Sequence, residues 1–149
     1  MPVFDFSFTV RASLERVAQF HHDTRTLKLL TPPPTIVQLH HIEPLAEGSI
    51  SKFTLWFGPL PIVWTAVHSN VSPNGFTDTL QNGLLKRWQH THNFITESEK
   101  LTRISEHVEY EHASGPRGLL SRLLFPKTSL YAVFNYRKWA TRSVLERSG

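Results

Sequence analysis

Two short segments hold most of the side chains that could do chemistry. In Arg87-Trp88-Gln89-His90-Thr91-His92-Asn93-Phe94, two imidazoles stand two residues apart. In Ile104-Ser105-Glu106-His107-Val108-Glu109-Tyr110, a carboxylate stands among apolar neighbours. Spacing by two on a strand sends side chains to one face. Trp88, His90, His92 and Phe94 therefore share a face, and so do Ile104, Glu106, Val108 and Tyr110. The polar stretch Glu97-Ser98-Glu99-Lys100 lies between them. A three-residue loop at 98–100 pairs Phe94 with Ile104, His92 with Glu106, His90 with Val108 and Trp88 with Tyr110. A loop of even length would bring Glu106 and Val108 opposite the wrong face of the first strand.

His92 beside Glu106 has the make-up of an acid–base pair, and these two are the candidate catalytic residues. A carboxylate next to an imidazole raises its pKa and orients it for proton transfer. The same pair can equally be a satisfied polar contact that holds a buried hairpin together, because burying either group alone is costly. His90-x-His92 also has the spacing of two metal ligands. The nearby Glu97 sits in the turn on the opposite parity, and no second motif supplies another histidine; Glu106 remains as a third donor. Hydrogen-bonded histidines in a cavity wall fit this pattern better than a metal centre, and no metal is expected.

Other chemistries are excluded by what is missing. The 149 residues include no cysteine, which removes disulfides, thiolate metal sites and cysteine nucleophiles. There is no serine in a nucleophile elbow, no phosphate loop and no dinucleotide fingerprint, so no cofactor is expected. The net charge of +4 is uneven: from Ala113 onward there are seven Lys/Arg and a single acid, Glu146. These basic residues are spread singly along a solvated face rather than in a block, so no nucleic-acid partner is expected. Weak peripheral contact with an acidic membrane surface is a lesser expectation. The opening MPVFDFSFTV enters an alternating strand without the pattern of a signal peptide, and the cysteine-free composition suits a cytoplasmic protein. Oligomeric state is left open by the sequence.

The elements that must position these residues follow in order. Val3 to Val10 alternates, with Phe4, Phe6, Phe8 and Val10 on one face. Ser13 is a good cap for a short helix carrying Leu14, Val17, Ala18 and His21, and Arg25 to Leu30 reads as a second helix stopped by Thr31-Pro32-Pro33-Pro34. Strands are expected over 35–42, 49–57, 62–71 and 76–81, then the hairpin. Trp64 and Ala66 face away from Val63 and Val67. The pattern breaks at Ser114-Gly115-Pro116-Arg117-Gly118. From about Thr128 to Glu146, Leu130, Val133, Phe134, Arg137, Thr141, Val144 and Leu145 recur at helical spacing. His21, His22, His40 and His41 read as helix-end and strand-surface residues without a role. Short turns between successive strands make the sheet antiparallel.

This order and several of its segments resemble the START-like, or SRPBCC, superfamily of helix-grip proteins, and within it the bacterial polyketide cyclase/dehydrase-like branch. The segments are FHHDTRTLKLLTPPP, FTDTLQNGLLKRWQHTHNF, ISEHVEYEHASG and FNYRKW. The resemblance implies an α+β fold in which six to seven antiparallel strands wrap around a long C-terminal helix, as one domain over 1–149. It also implies a mostly apolar cavity for a lipid-like, aromatic or polyketide-like small molecule. The candidate ligand contacts are Trp64; Trp88, His90, His92 and Phe94; Glu106, Val108 and Tyr110; and Phe134 and Arg137 on the helix. The expected function is binding, or transport, of a hydrophobic or aromatic ligand. The alternative is a cyclase- or dehydratase-like enzyme using the His92–Glu106 pair.

Arg137 stands out because it interrupts the apolar stripe of the last helix. Arginine is almost never fully buried without a partner. Its stem could run along the apolar face with the head in water, it could pair with Glu106 or another inward acid, or it could bind an acidic group on the ligand.

Overall fold

The computed structural model describes residues 2–147. Strand β1 (Val3–Val10) leads into helix α1 (Leu14–His22). The Ser13 hydroxyl accepts the backbone N–H of Arg16 and so caps that helix. A single 3-10 turn (Thr24–Thr26) and the one-turn helix α2 (Leu27–Leu30) take the place of the one short helix expected there. Strands β2 (Ile36–Ile42), β3 (Ile50–Phe57), β4 (Leu60–Ser72), β5 (Gly75–Asn82), β6 (Arg87–Ser98) and β7 (Leu101–Glu111) follow, then helices α3 (Gly115–Leu124) and α4 (Lys127–Leu145). The seven strands form one antiparallel sheet in the order β1-β7-β6-β5-β4-β3-β2.

The β6–β7 register is the expected one: Trp88 faces Tyr110, His90 faces Val108, His92 faces Glu106 and Phe94 faces Ile104. It is reached by a different turn. Ser98 pairs with Leu101, which leaves a two-residue turn, and the register shifts between Thr96 and Ser98. The bulge at Glu97 supplies the odd residue that the burial pattern demanded of the loop.

Helix α3 lies where the sequence showed only a break. Its Gly-Pro-Arg-Gly opening reads as turn residues, but proline is tolerated in a first helical turn, where its missing N–H would have no partner anyway. Gly118 is required there, because a Cβ would stand 1.7 Å from the Ala113 carbonyl oxygen. The Arg117 guanidinium donates to the carbonyls of Gly83 and Leu84, which ties α3 to the loop before β6.

The sheet curls around α4. Phe4, Val108, Tyr110, Leu130 and Phe134 form one buried cluster with Phe53 and Trp64. Phe8, Val10, Val17, Phe94, Ile104 and Leu145 form the other, under α1. The C-terminal end of α4 is clamped: Arg16 donates to the Leu145 carbonyl at 2.8 Å and Arg142 donates to the Thr9 carbonyl at 2.9 Å. Positive groups at a helix C-terminus also complement its dipole. The middle of α4 spans the concave face of the sheet, and α2 closes one side. Among the described residues, no helix is long and apolar enough to cross a membrane.

Candidate functional site

Between α4 and the sheet lies a cavity of about 710 Å³, within the size range of small-molecule pockets. Strand periodicity gives it two ends. On β4, Trp64, Ala66 and His68 point inward in turn; on β6, Trp88, His90 and His92 do the same. Both strands therefore run from tryptophan to histidine along the cavity wall. Trp64 and Trp88 meet edge-to-face at 5.5 Å, and Phe125 lies 6.0 and 6.3 Å from their rings. This is an aromatic end. The other end is a chain of imidazoles and carboxylates.

The chain begins at Ser51, whose hydroxyl lies 2.9 Å from His68 Nε2. His68 Nδ1 contacts Asp78 Oδ1 at 2.5 Å. Asp78 Oδ2 accepts from His92 Nε2 at 2.9 Å, and His92 Nδ1 faces Glu106 Oε2 at 3.0 Å. The same Glu106 oxygen accepts from His90 Nε2 at 2.5 Å. Glu106 is 5% exposed and His90 and His92 are 4% and 7% exposed, so these charges have only one another for solvation.

Both ring nitrogens of His92 face carboxylates. A neutral imidazole has one N–H and would turn a lone pair toward an anion, so His92 is the imidazolium. Burial opposes its charge, but the Glu106 carboxylate and the bonds to Asp78 and Glu106 outweigh that and raise its pKa to about 9. Burial alone would raise the two carboxyls. The imidazoles against them prevail and hold Asp78 and Glu106 well below the usual carboxylate range. His90 stacks on His92 at 3.9 Å between ring centroids. Burial and the neighbouring His92 charge lower its pKa to about 4 despite Glu106, so His90 is neutral.

Three members of this end were not singled out in the sequence. Asp78 sits between Phe76 and Leu80 on an inward face of β5, and pairs across to both His68 and His90. A carboxylate flanked by inward apolar residues was the available signal for it. His68 carried the same signal, following Trp64 and Ala66 at two-residue spacing. His21, read as a helix-end residue without a role, does stand in the last turn of α1 and is also buried in the cavity wall, 4.8 Å from the Phe94 ring. Its Nδ1 donates to the Val17 carbonyl at 2.9 Å, which leaves Nε2 as an acceptor. Burial, then the His92 charge, lowers its pKa to about 4.

Of the expected ligand contacts, Trp64, Trp88, His90, His92, Phe134 and Arg137 line the cavity. Phe94, Glu106, Val108 and Tyr110 lie outside that lining. Val108 and Tyr110 pack with Phe4, Leu130 and Phe134, Phe94 packs with Phe8, Val17 and Ile104, and Glu106 is buried against His90 and His92. Glu106 therefore acts on the cavity only through His90 and His92. Gly75 fixes the β5–β6 spacing near His92. It adopts φ of 143°, and a Cβ there would stand 1.9 Å from the His92 carbonyl oxygen.

Asp78, His90 and His92 bring possible metal-ligand atoms within 4.8 Å of one another. The third donor of this group is Asp78, where the sequence had offered Glu106. Both His92 nitrogens and His90 Nε2 already face carboxylates, however, so the cluster is charge-paired within itself.

No family model and no curated protein sequence matches this chain. Its likenesses are to solved structures. A START superfamily protein from Mycobacterium smegmatis superposes with a TM-score of 0.73 at 13% identity, covering 99% of each chain. An aromatase/cyclase from Streptomyces superposes with a TM-score of 0.68 at 17% identity, covering 97% of this chain and 90% of that one. Norcoclaurine synthase from Thalictrum flavum, in complex with dopamine and hydroxybenzaldehyde, superposes with a TM-score of 0.69 at 18% identity, covering 97% and 87%. With its seven-stranded antiparallel sheet closed around a long C-terminal helix, the chain has the START-like, helix-grip fold.

Proposed function

We propose that this protein binds a hydrophobic or aromatic small molecule between the sheet and α4, the whole chain acting as one ligand-binding domain. The observation that carries this reading is the cavity itself. Protein interiors are packed like organic crystals, and a void of about 710 Å³ with aromatic walls is space kept for an occupant. One end is apolar and the other holds a few convergent polar groups, the usual make-up of a ligand site. Similarity to an aromatase/cyclase and to a synthase that holds dopamine and hydroxybenzaldehyde supports a small organic ligand. The cysteine-free composition suits a reducing cytoplasm.

An environment-sensitive apolar dye should brighten on binding the folded protein, at one dye per chain, and polycyclic or long-chain compounds should displace it. A dye that stays dark, or that no apolar competitor removes, would overturn the reading.

The histidine–carboxylate chain favours a second reading, an acid–base step on the bound molecule. Neutral His90 would accept the proton, and the His92 imidazolium, its N–H groups held by Asp78 and Glu106, would stabilise negative charge that develops beside it. Glu106, which does not touch the cavity, would position both.

A further inference from the structure

Among the described residues, Arg137 is a cavity-facing charge without a counter-ion. It projects from the middle of α4 into the cavity, one turn beyond Phe134, with its guanidinium carbon 5.2 Å from that ring centroid. Its Nε is buried without a hydrogen-bond partner, and it forms no ion pair among the described residues. The contrast on the same helix is Arg142, whose Nε donates to the Thr9 carbonyl at 2.9 Å. A guanidinium presents five donors in a planar fork, and leaving the buried one unpaired is costly. The self-contained pairing with Glu106 is not seen: Arg137 is half-buried and lines the cavity, with no acidic partner among the described residues.

The nearby carboxylates are already engaged. Asp78 is held by His68 at 2.5 Å and His92 at 2.9 Å, and Glu106 by His90 at 2.5 Å and His92 at 3.0 Å. Arg137 feels their charge only at a distance, which offsets part of the effect of burial on its own proton affinity. What the fork lacks is an anion at contact range, and the cavity is the direction from which one can arrive.

The aromatic end sets the rest of the ligand. Trp64 and His68 are four residues apart on β4, as are Trp88 and His92 on β6, which puts the two ends about 13 Å apart at ~3.3 Å per strand residue. We infer that the ligand is an amphipathic carboxylic acid, its carboxylate taken by the Arg137 fork at the imidazole end and its apolar body directed toward Trp64, Trp88 and Phe125. A singly charged head fits better than a phosphate dianion, because Asp78 and Glu106 add negative charge to the same end. This inference rests on the ligand-binding reading above and narrows it to a chemical class.

A matched set of probes separates the two: a biphenyl carboxylic acid, its methyl ester and the corresponding biphenyl methanol, each competing with the apolar dye. On the wild-type protein the acid should compete about ten- to a hundredfold better than the ester or alcohol, the scale of a charged hydrogen bond gained. Arg137→Met, which keeps the stem and removes the charge, should bring the acid down to the level of the alcohol and leave the alcohol unchanged. Arg137→Lys, which keeps the charge without the fork, should fall between. Competition by ester and alcohol with no advantage for the acid would overturn the acid inference and leave ligand binding standing. An acid preference that survives in Arg137→Met would also overturn it. Failure of all three probes on the wild-type protein would remove the binding reading and this inference together.

Discussion

Replacing Glu106 by Gln is expected to cost about 3–5 kcal/mol of folding stability, the usual loss when one partner of a buried ion pair is removed. The side chain keeps its shape, so packing is not the cause. Glu106 Oε2 receives both His90 and His92, and a neutral amide leaves the buried His92 imidazolium with Asp78 as its only contacting anion. The pKa of His92, now raised to about 9, should fall in the variant because the largest favourable charge is gone. Denaturant unfolding and imidazole titration by NMR measure the two effects. An unchanged His92 titration with less than about 1 kcal/mol lost, the scale of an exposed pair, would show that the pair is not formed. If the bound molecule is turned over, His92→Ala and Glu106→Gln should both abolish turnover and leave part of the affinity.

Stability is expected to peak near pH 6.5 and to fall on both sides. On the alkaline side the cause is His92. Its folded pKa is raised from 6.5 to about 9, so its contribution is fully present below about 6.5 and is lost as pH rises through about 9. At ~1.4 kcal/mol for each tenfold change in proton affinity, the loss is on the order of 3 kcal/mol. On the acid side, His21 and His90 stay neutral in the folded protein down to about 4, while the unfolded chain takes up those protons below about 6.5. Folding therefore weakens as pH falls through that window. Asp78 and Glu106, held low by their imidazoles, steepen the loss where carboxyls of the unfolded chain protonate. Melting temperature followed across this range measures the profile. Glu106→Gln should flatten its alkaline limb. A wild-type limb already flat between about 6.5 and 9 would mean that His92 is not held as an imidazolium.

The hairpin was legible because its chemistry and its periodicity agree. Ile104, Glu106, Val108 and Tyr110 alternate so cleanly with polar residues that only one register buries them, and that register alone places Glu106 against His92. The turn was less legible, since a bulge at Glu97 and a longer loop satisfy the same parity. Helix α3 was hidden because Gly115, Pro116 and Gly118 carry turn propensities that tertiary contacts override. The contacts with the Gly83 and Leu84 carbonyls come from Arg117, whose partners lie more than thirty residues away. Asp78 and His68 were hidden for a related reason. Each is an ordinary polar residue on its own strand, and the His68–Asp78–His92 contacts exist only once β4, β5 and β6 stand side by side. His21 shares the helical spacing of Val17 and Ala18, but which strand that face covers depends on how α1 packs over β6.

The most direct test of the central claim is to locate a bound apolar ligand by NMR. A biphenyl probe in exchange with the labelled protein should give intermolecular NOEs to Leu30, Phe53, Trp64, Trp88 and Phe134, residues that meet only across the space between the sheet and α4. NOEs confined to exposed side chains such as Leu119, Tyr131 or Trp139, at probe concentrations that saturate binding, would contradict it.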